Sequence, residues 1–599
     1  MEGTLYVSEN YSHFEIVDPS TGAVLVSFDG HEKAGKCFPG DTVVWKGGAS
    51  SGVGAGGAGA GAGGAGASSG GVAELQLTGS KRANIIGTLE LTSKTIHGHT
   101  KKGVPMYIFT PYSKEYPPFV VASSEKNRSV NLLCSVNFLE WKTGSPMPRG
   151  SIQKVFGPVG RLADEMNALL EYVAPIKQIE NTGDIDRELI VAQEMVQQSE
   201  VERGVIRKHL PSEFTFNIDP EGCRDIDDVI TLIPVGPPED NKWRLIVSIA
   251  DVSSYVPDMG AIDNIAEMIG QSVYDDTGRV IRPMLPAYLS EGRCSLIQGA
   301  TRRTISAEVV CGPGDNLIAG GQRGAQASSF YLSTVCNGKS YTYDTVDDSI
   351  RKTLEMITGE SDTHNMVASL MIWYNTHVAK LLYEHKTGIF RGEACVPPTP
   401  CHDEKPEEKP EETSARNFMH GAVAPASYFV HNFRDEGVEG VGGRLASPLR
   451  DEGVGGMQAS PLYCHSTSPL RRYCDLINQR LLKHILLGTF GQLYISVSIR
   501  DLNAQAKRVK KYEKYGRMLK MVLAEGFTGV VDGTRILDKK VVDGVIYLKI
   551  WIEDWKTMIT ARARAEAEKD TYELPVKVRV AFNINGKRWK EKITAEINT

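Results

Sequence analysis

The sequence predicts a multidomain α+β protein, with β-barrels at both ends of a central domain of mixed strands and helices. Three observations carry this. At 599 residues the chain is too long for one core. Its two ends read as short strands separated by Gly and Asp turns, whereas its middle reads as buried strands and long amphipathic helices. An acidic segment, FTFNIDPEGCRDIDDVI at 214–230, opens that middle region between two apolar, β-prone runs. Hydrophobic content of 41% and charged content of 23% are ordinary for a soluble globular protein. No apolar stretch approaches the roughly 20 residues needed to span a bilayer. The start, MEGTLYVSEN, lacks the basic and apolar parts of a signal peptide. Ten cysteines, with no CxxC pair and no zinc spacing, fit reduced thiols in an intracellular protein.

Taken in order, residues 1–82 give the strand runs GTLYVSEN, FEIVD, AVLVSFDG and GDTVVWK, a small barrel. The Gly/Ala-rich stretch 47–71 has nothing to bury and reads as a flexible insertion. Residues 83–178 predict a second barrel followed by a helical connector at 161–175. Residues 179–522 form the central domain, with a buried strand in 243–256, a helix after Gly260, and helices at 364–385, 470–486 and 498–524. The Pro-broken acidic run 403–413 and the duplicated RDEGV…ASPL stretch in 434–462 read as insertions. Residues 523–599 alternate as strands and predict a third barrel. Net charge of −6 argues against a general nucleic-acid coat, although basic runs at 94–102, 506–520 and 586–592 offer local cationic surfaces.

Asp219, Asp225, Asp227 and Asp228 are the residues most suited to chemistry. Four carboxylates this close repel one another and raise each other's pKa unless something neutralises them. A hard divalent cation does so, and all-oxygen sites suit Mg²⁺, Mn²⁺ or Ca²⁺. A calcium loop of the EF-hand type is excluded, because Cys223, Val229 and Ile230 fall where ligands or the invariant glycine are required. A solvated acidic turn remains the competing reading. Asp225 and Asp227 share a face if extended, so Asp228 joins them only if the chain bends at Ile226 to Asp228.

DPEGCRDIDD, WRLIVSIADVSSYV (243–256), the helix after Gly260, PMLPAYLSEGRCSLI (283–297) and HSTSPLRRYCDLINQRLL (465–482) follow one another. In this order they resemble the ribonuclease II/R (RNB) family of 3′–5′ exoribonucleases, and the first resembles its eukaryotic exosome-nuclease branch. The resemblance covers most of 210–520. It implies a central RNB-type catalytic α/β domain, two N-terminal cold-shock-like OB-fold barrels and a C-terminal OB-fold RNA-binding barrel.

On that resemblance Asp219, Asp225 and Asp228 ligate or orient Mg²⁺ (or Mn²⁺), and Asp227 positions a second metal or the attacking water. Tyr274 matches a tyrosine that stacks on the terminal base, although the loop after it is longer than in the family. Phe390 is a candidate second stacking ring. Arg471 matches the arginine that holds the scissile phosphate, with Arg472 beside it. Ser468 and Pro469 suit the start of a helix whose N-terminus adds to that phosphate site. Glu513 matches a glutamate near the terminal nucleotide. His465 and Asp251 read as structural.

The implied activity is Mg²⁺-dependent, processive hydrolysis of single-stranded RNA from its 3′ end, releasing 5′-nucleoside monophosphates. Two rivals stand beside it: a catalytically impaired RNA-binding protein of the same fold, and a metal-dependent DNA exonuclease. The chain begins almost at once with its first barrel, leaving no room for an endonuclease domain. We therefore expect a free-standing monomer that does not dock on the exosome, without membrane contact, and cytoplasmic rather than nuclear.

Overall fold

The computed structural model describes residues 2–7, 11–18, 24–47, 72–79, 84–178, 183–313, 329–392, 427–430, 462–489, 495, 497–563 and 574–597, apart from 35, 143, 276 and 543. The insertions expected at 47–71, 403–413 and 434–462 lie outside these, save for Gly47 at the end of a strand and Leu462. The chain divides into two compact units, Met1–Pro175 with Lys510–Thr599, and Ile176–Val509.

The first unit is built from strands in which alternate residues turn inward. Glu2–Val7 buries Leu5 and Val7 and pairs with His13–Val17, which buries Phe14 and Ile16. These belong to a five-stranded sheet ordered Val24–Asp29, His13–Val17, Glu2–Val7, Thr42–Gly47, Val72–Gly79. Five further strands close a barrel in the order Arg149–Pro158, Phe119–Ala122, Met106–Pro111, Ile85–Leu89, Leu132–Glu140. Gly87 is required there, because a Cβ would lie 2.3 Å from the Thr110 carbonyl oxygen. Phe38 packs against Phe119 and Trp141 at 5.8 and 5.9 Å between ring centroids, joining the cores of sheet and barrel. Helix Leu162–Val173 occupies the expected connector.

A second barrel closes in the order Val530–Val542, Val545–Ile552, Thr557–Ala563, Ile593–Ile597, Val576–Phe582. Its Lys592, fully buried, reaches Glu165 at 2.7 Å and the Tyr112 hydroxyl at 3.0 Å. An uncompensated buried ammonium would be costly, so this pair fixes how the barrel meets the connector helix.

The second unit centres on a seven-stranded sheet. Its order is Lys208–Leu210, Ser329–Cys336, Thr301–Cys311, Lys242–Ala250, Asp228–Val235, Thr215–Ile218, Lys339–Tyr341. The β-branched run predicted as a buried strand is Lys242–Ala250, covered on both faces. Leu245, Val247 and Ile249 join a core with helix Thr363–Glu384, whereas Ile246 and Ala250 join one with helix Ala261–Ile269. Helix Ile499–Val522 matches its expected span closely, but helix Tyr473–Leu486 begins three residues later than expected. Helix Gly183–Glu202 was not anticipated: its buried face is sparse, at Ile185, Leu189 and Ala192, so its apolar periodicity is weak.

Candidate active site

The acidic segment is a strand, a turn and a strand. In Thr215–Ile218, Phe216 and Ile218 enter the core, which turns Thr215 and Asn217, and then Asp219, to the other side. Thr215 and Thr231 share a hydroxyl hydrogen bond of 2.8 Å, and the Asp219 N–H donates to the Tyr341 carbonyl at 3.1 Å. The turn is pinned from behind. The Ser295 hydroxyl accepts from the Ile226 N–H at 3.0 Å and donates to the Arg224 carbonyl at 2.6 Å. Ile226 itself is buried, while the Asp227 carbonyl accepts from the Ala250 N–H at 2.8 Å. The turn or bulge expected at Ile226 to Asp228 is not found: the chain turns earlier, at Glu221 and Gly222, and enters strand Asp228–Val235 in regular register, yet Asp225, Asp227 and Asp228 all line one cavity while Ile226 sinks into the core.

That cavity, of about 820 Å³, is lined by Asp219, Asp225, Asp227, Asp228, Tyr274, Tyr343 and Arg471, among others. Asp227 is anchored at both oxygens, by the Leu470 N–H at 2.9 Å and by Arg471 Nε at 3.3 Å. The Tyr274 hydroxyl donates to Asp225, and Asn217 Nδ2 donates to Asp219 at 2.8 Å. Burial raises the pKa of Asp219, and Asp225 adds to the shift against the Asn217 bond. Burial also pushes Asp227 well up, opposed by Arg471 and the Leu470 N–H. Asp228 is pushed up to about 8, by burial and then by Asp219. The lining also carries Glu221, Glu291, Arg224 and Arg279, of which Arg224 pairs with Glu291 and Arg279 with Asp275, so carboxylates still outnumber guanidiniums and the excess negative charge fits a hard divalent cation held by oxygen ligands.

Six of the residues singled out from the sequence line this cavity: the four aspartates, Tyr274 and Arg471. The others lie elsewhere, and three assignments need correction. Arg472 is not a phosphate ligand of this cavity. Its guanidinium donates to Asp475 at 2.8 Å and to the Ser468 hydroxyl at 3.1 Å, tied down by a buried carboxylate. Ser468 and Pro469 do not open the helix, which starts at Tyr473; they form a turn in which the Arg471 and Arg472 N–H groups donate to the Ser468 carbonyl. Phe390 cannot stack on a ligand, because it is fully buried against Phe429 and Tyr383. Glu513 is exposed on helix Ile499–Val522 and belongs to the first unit, whereas the cavity belongs to the second.

His465 and Asp251 are structural, as expected. His465 is buried between Arg391 at 2.6 Å and the Tyr428 hydroxyl at 2.9 Å. Among the described residues, His465, Cys474 and Asp475 could hold a metal by proximity, with ligand atoms within 4.8 Å of one another. Arg391 and Arg472 already supply positive charge to that group. The pocket aspartates, which repel one another, do not form so tight a group.

Sequence reasoning missed Tyr343 and Asn217. The period-two alternation in TFNID, with Asn217 two residues before Asp219, was a signal for the second; nothing local marks Tyr343.

Residues 207–360 and 356–488 match the model of the RNB domain, and residues 106–172 match the Dis3-like cold-shock domain 2 (CSD2). Ribonuclease R of Helicobacter pylori is 26% identical over 395 residues, covering 54% of this chain and 57% of that protein. The chain therefore spans little more than half the length of that curated relative. Among solved structures, Mycoplasma genitalium RNase R in complex with ribose methylated single-stranded RNA aligns over 100% of both chains, with a TM-score of 0.60 and 16% identity. Yeast Ssd1, a pseudonuclease, aligns over 97% of this chain and 81% of its own, with a TM-score of 0.56 and 12% identity. These structural likenesses are of fold: an RNB-type domain flanked by β-structure at both ends.

Proposed function

We propose that this chain is a metal-dependent 3′–5′ exoribonuclease of the ribonuclease II/R (RNB) family, hydrolysing single-stranded RNA to 5′-nucleoside monophosphates. One observation carries the reading: Asp219, Asp225, Asp227 and Asp228, from one ten-residue segment, share a cavity with Arg471, which is distant in sequence. Mg²⁺, or Mn²⁺, bound by those carboxylates would acidify a water for attack on phosphorus and offset charge on the phosphate oxygens.

The side chains divide the remaining work. Asp227 holds Arg471 through Nε, and with 38% of its side chain accessible Arg471 can also donate to a phosphate oxygen. The Leu470 N–H fixes Asp227 from the backbone, so the pair is set before substrate arrives. Tyr274 offers a ring on the cavity wall while its hydroxyl steadies Asp225; stacking on a terminal base suits any sequence. The DPEGCRDIDD run and the Dis3-like cold-shock match favour the eukaryotic branch, whereas the Helicobacter relative is bacterial. The domain boundaries at 82, 178 and 522, the monomeric state, cytoplasmic placement and a role for Glu513 belong to the same reading.

The fold likeness to Ssd1 keeps the impaired RNA-binding protein as the second reading, and the complete carboxylate set argues against it. The test is to incubate the chain with 5′-labelled single-stranded RNA and DNA, with Mg²⁺ and with EDTA. We expect RNA alone to shorten to a small limit product, with Mg²⁺ only, and mononucleotides to carry a 5′-phosphate. Shifted but intact RNA would show a binder, and equal loss of DNA a nuclease of the other class.

A further inference from the structure

We propose that Asn217, locked by Asn337, is a positioning residue that sets the Asp219 carboxylate for a divalent cation. The proposal deepens the reading above and rests on it. Both amides are buried, Asn217 at 2% exposure and Asn337 at 0%. Asn337 Nδ2 donates to the Leu296 carbonyl at 2.9 Å and to Asn217 Oδ1 at 2.7 Å, and Asn337 Oδ1 accepts from the Lys339 N–H at 3.2 Å. With both ends engaged, the Asn337 amide has one orientation that satisfies its neighbours. Asn217 must then accept with its oxygen, which turns its Nδ2 toward Asp219, where it donates at 2.8 Å. The direction of the second amide is therefore dictated by the first.

Backbone packing holds the relay in place. Asn217 pairs with Ser340 between parallel strands, and the Gly338 N–H donates to the Thr215 carbonyl at 2.9 Å. A Cβ on Gly338 would lie 2.1 Å from the Ser212 carbonyl oxygen, so only glycine lets the loop carrying Asn337 come this close. Neither asparagine lines the cavity, so neither touches a substrate there. An amide suits this position because it gives a directed donor to a carboxylate without adding charge beside the cation site. An aliphatic residue would leave that oxygen without this donor.

The test titrates Mn²⁺ into the full chain without RNA, counting free ion by electron paramagnetic resonance, with competition by Mg²⁺. Asn217→Ala should weaken Mn²⁺ binding about tenfold, the lower end of what outer-shell partners command, and Asn337→Ala, one bond further out, about threefold. Because the two act through one carboxylate, the double variant should bind no more weakly than Asn217→Ala alone, a coupling that unrelated structural damage would not produce. Near-UV circular dichroism checks each fold, and Asn217→Ser and Asn337→Ser take the place of any alanine variant that does not fold. A folded position-217 variant with wild-type affinity, or additive losses, overturns the positioning role and leaves the nuclease reading standing. A wild-type chain that binds no Mn²⁺ displaceable by Mg²⁺ overturns both.

Discussion

Two groups of buried and half-buried acids in the Ile176–Val509 unit are balanced in opposite ways. In the cavity, Asp219, Asp225, Asp227 and Asp228 face Arg471, and three of them have pKa values driven upward. Just past the strand Lys242–Ala250, Asp251 meets Arg207 at 2.6 Å and Lys483 at 3.0 Å, and Arg207 also holds Glu200 at 2.6 Å. Burial alone would raise the Asp251 pKa, but Lys483 and Arg207, with the Ser253 and Ser254 hydroxyls, hold it far below the usual carboxylate range. Burial is shared; charge balance differs. The second group is satisfied within the protein and is structural, whereas the first is left short of positive charge and is suited to a ligand that brings it.

The largest test of this contrast is Asp227→Asn. It should lower kcat at least about 1000-fold, or roughly 4 kcal/mol, while RNA still shifts in a gel. Wild-type hydrolysis by that variant would remove the cavity from the mechanism. Asp251→Asn should do the reverse. Leaving Arg207 and Lys483 undercompensated should cost about 3 kcal/mol of stability in urea unfolding, with kcat per folded molecule unchanged.

Arg471→Ala should slow hydrolysis about 100-fold, near 2.7 kcal/mol, and Arg471→Lys should recover only part of it, because a lysine lacks the planar fork. A proton linkage sharpens the contrast further. Asp228 is protonated up to about pH 8 in the folded chain but ionises near its ordinary value of 3.8 when unfolded, so folding takes up a proton between these limits. Stability of the metal-free chain should therefore fall as pH rises through that window. Mg²⁺ must displace this proton, so its apparent affinity, read from the shift in Tm, should climb by at most about tenfold per unit from pH 6 to 8. Last and smallest, Arg472→Ala should leave the KM for RNA unchanged, since its partner is Asp475.

The neighbouring arginines show why part of the site was legible and part was not. Arg471 and Arg472 carry the same charge in the same motif, so reading the sequence could not separate them. Asp227 and Asp475 separate them, and each partner is brought in by the fold. Tyr274 was found by its motif, but the attachment of its hydroxyl to Asp225 depends on pairing between Val273–Tyr274 and Val280–Arg282. Phe390 was misjudged because an aromatic in a strand looks alike whether it faces a ligand or a core.

What the sequence determined by itself was local: alternation that assigns faces to strands, the helical spans, and four acids too close together to share a turn without charge compensation. Those follow from periodicity and from repulsion over a few residues. Tertiary structure alone decided which cation meets which carboxylate. Arg471 reaches Asp227, and Lys483 reaches Asp251, across more than 200 positions of chain. A side chain's electrostatic surroundings depend on distance through space and on burial, and neither is written in the order of residues.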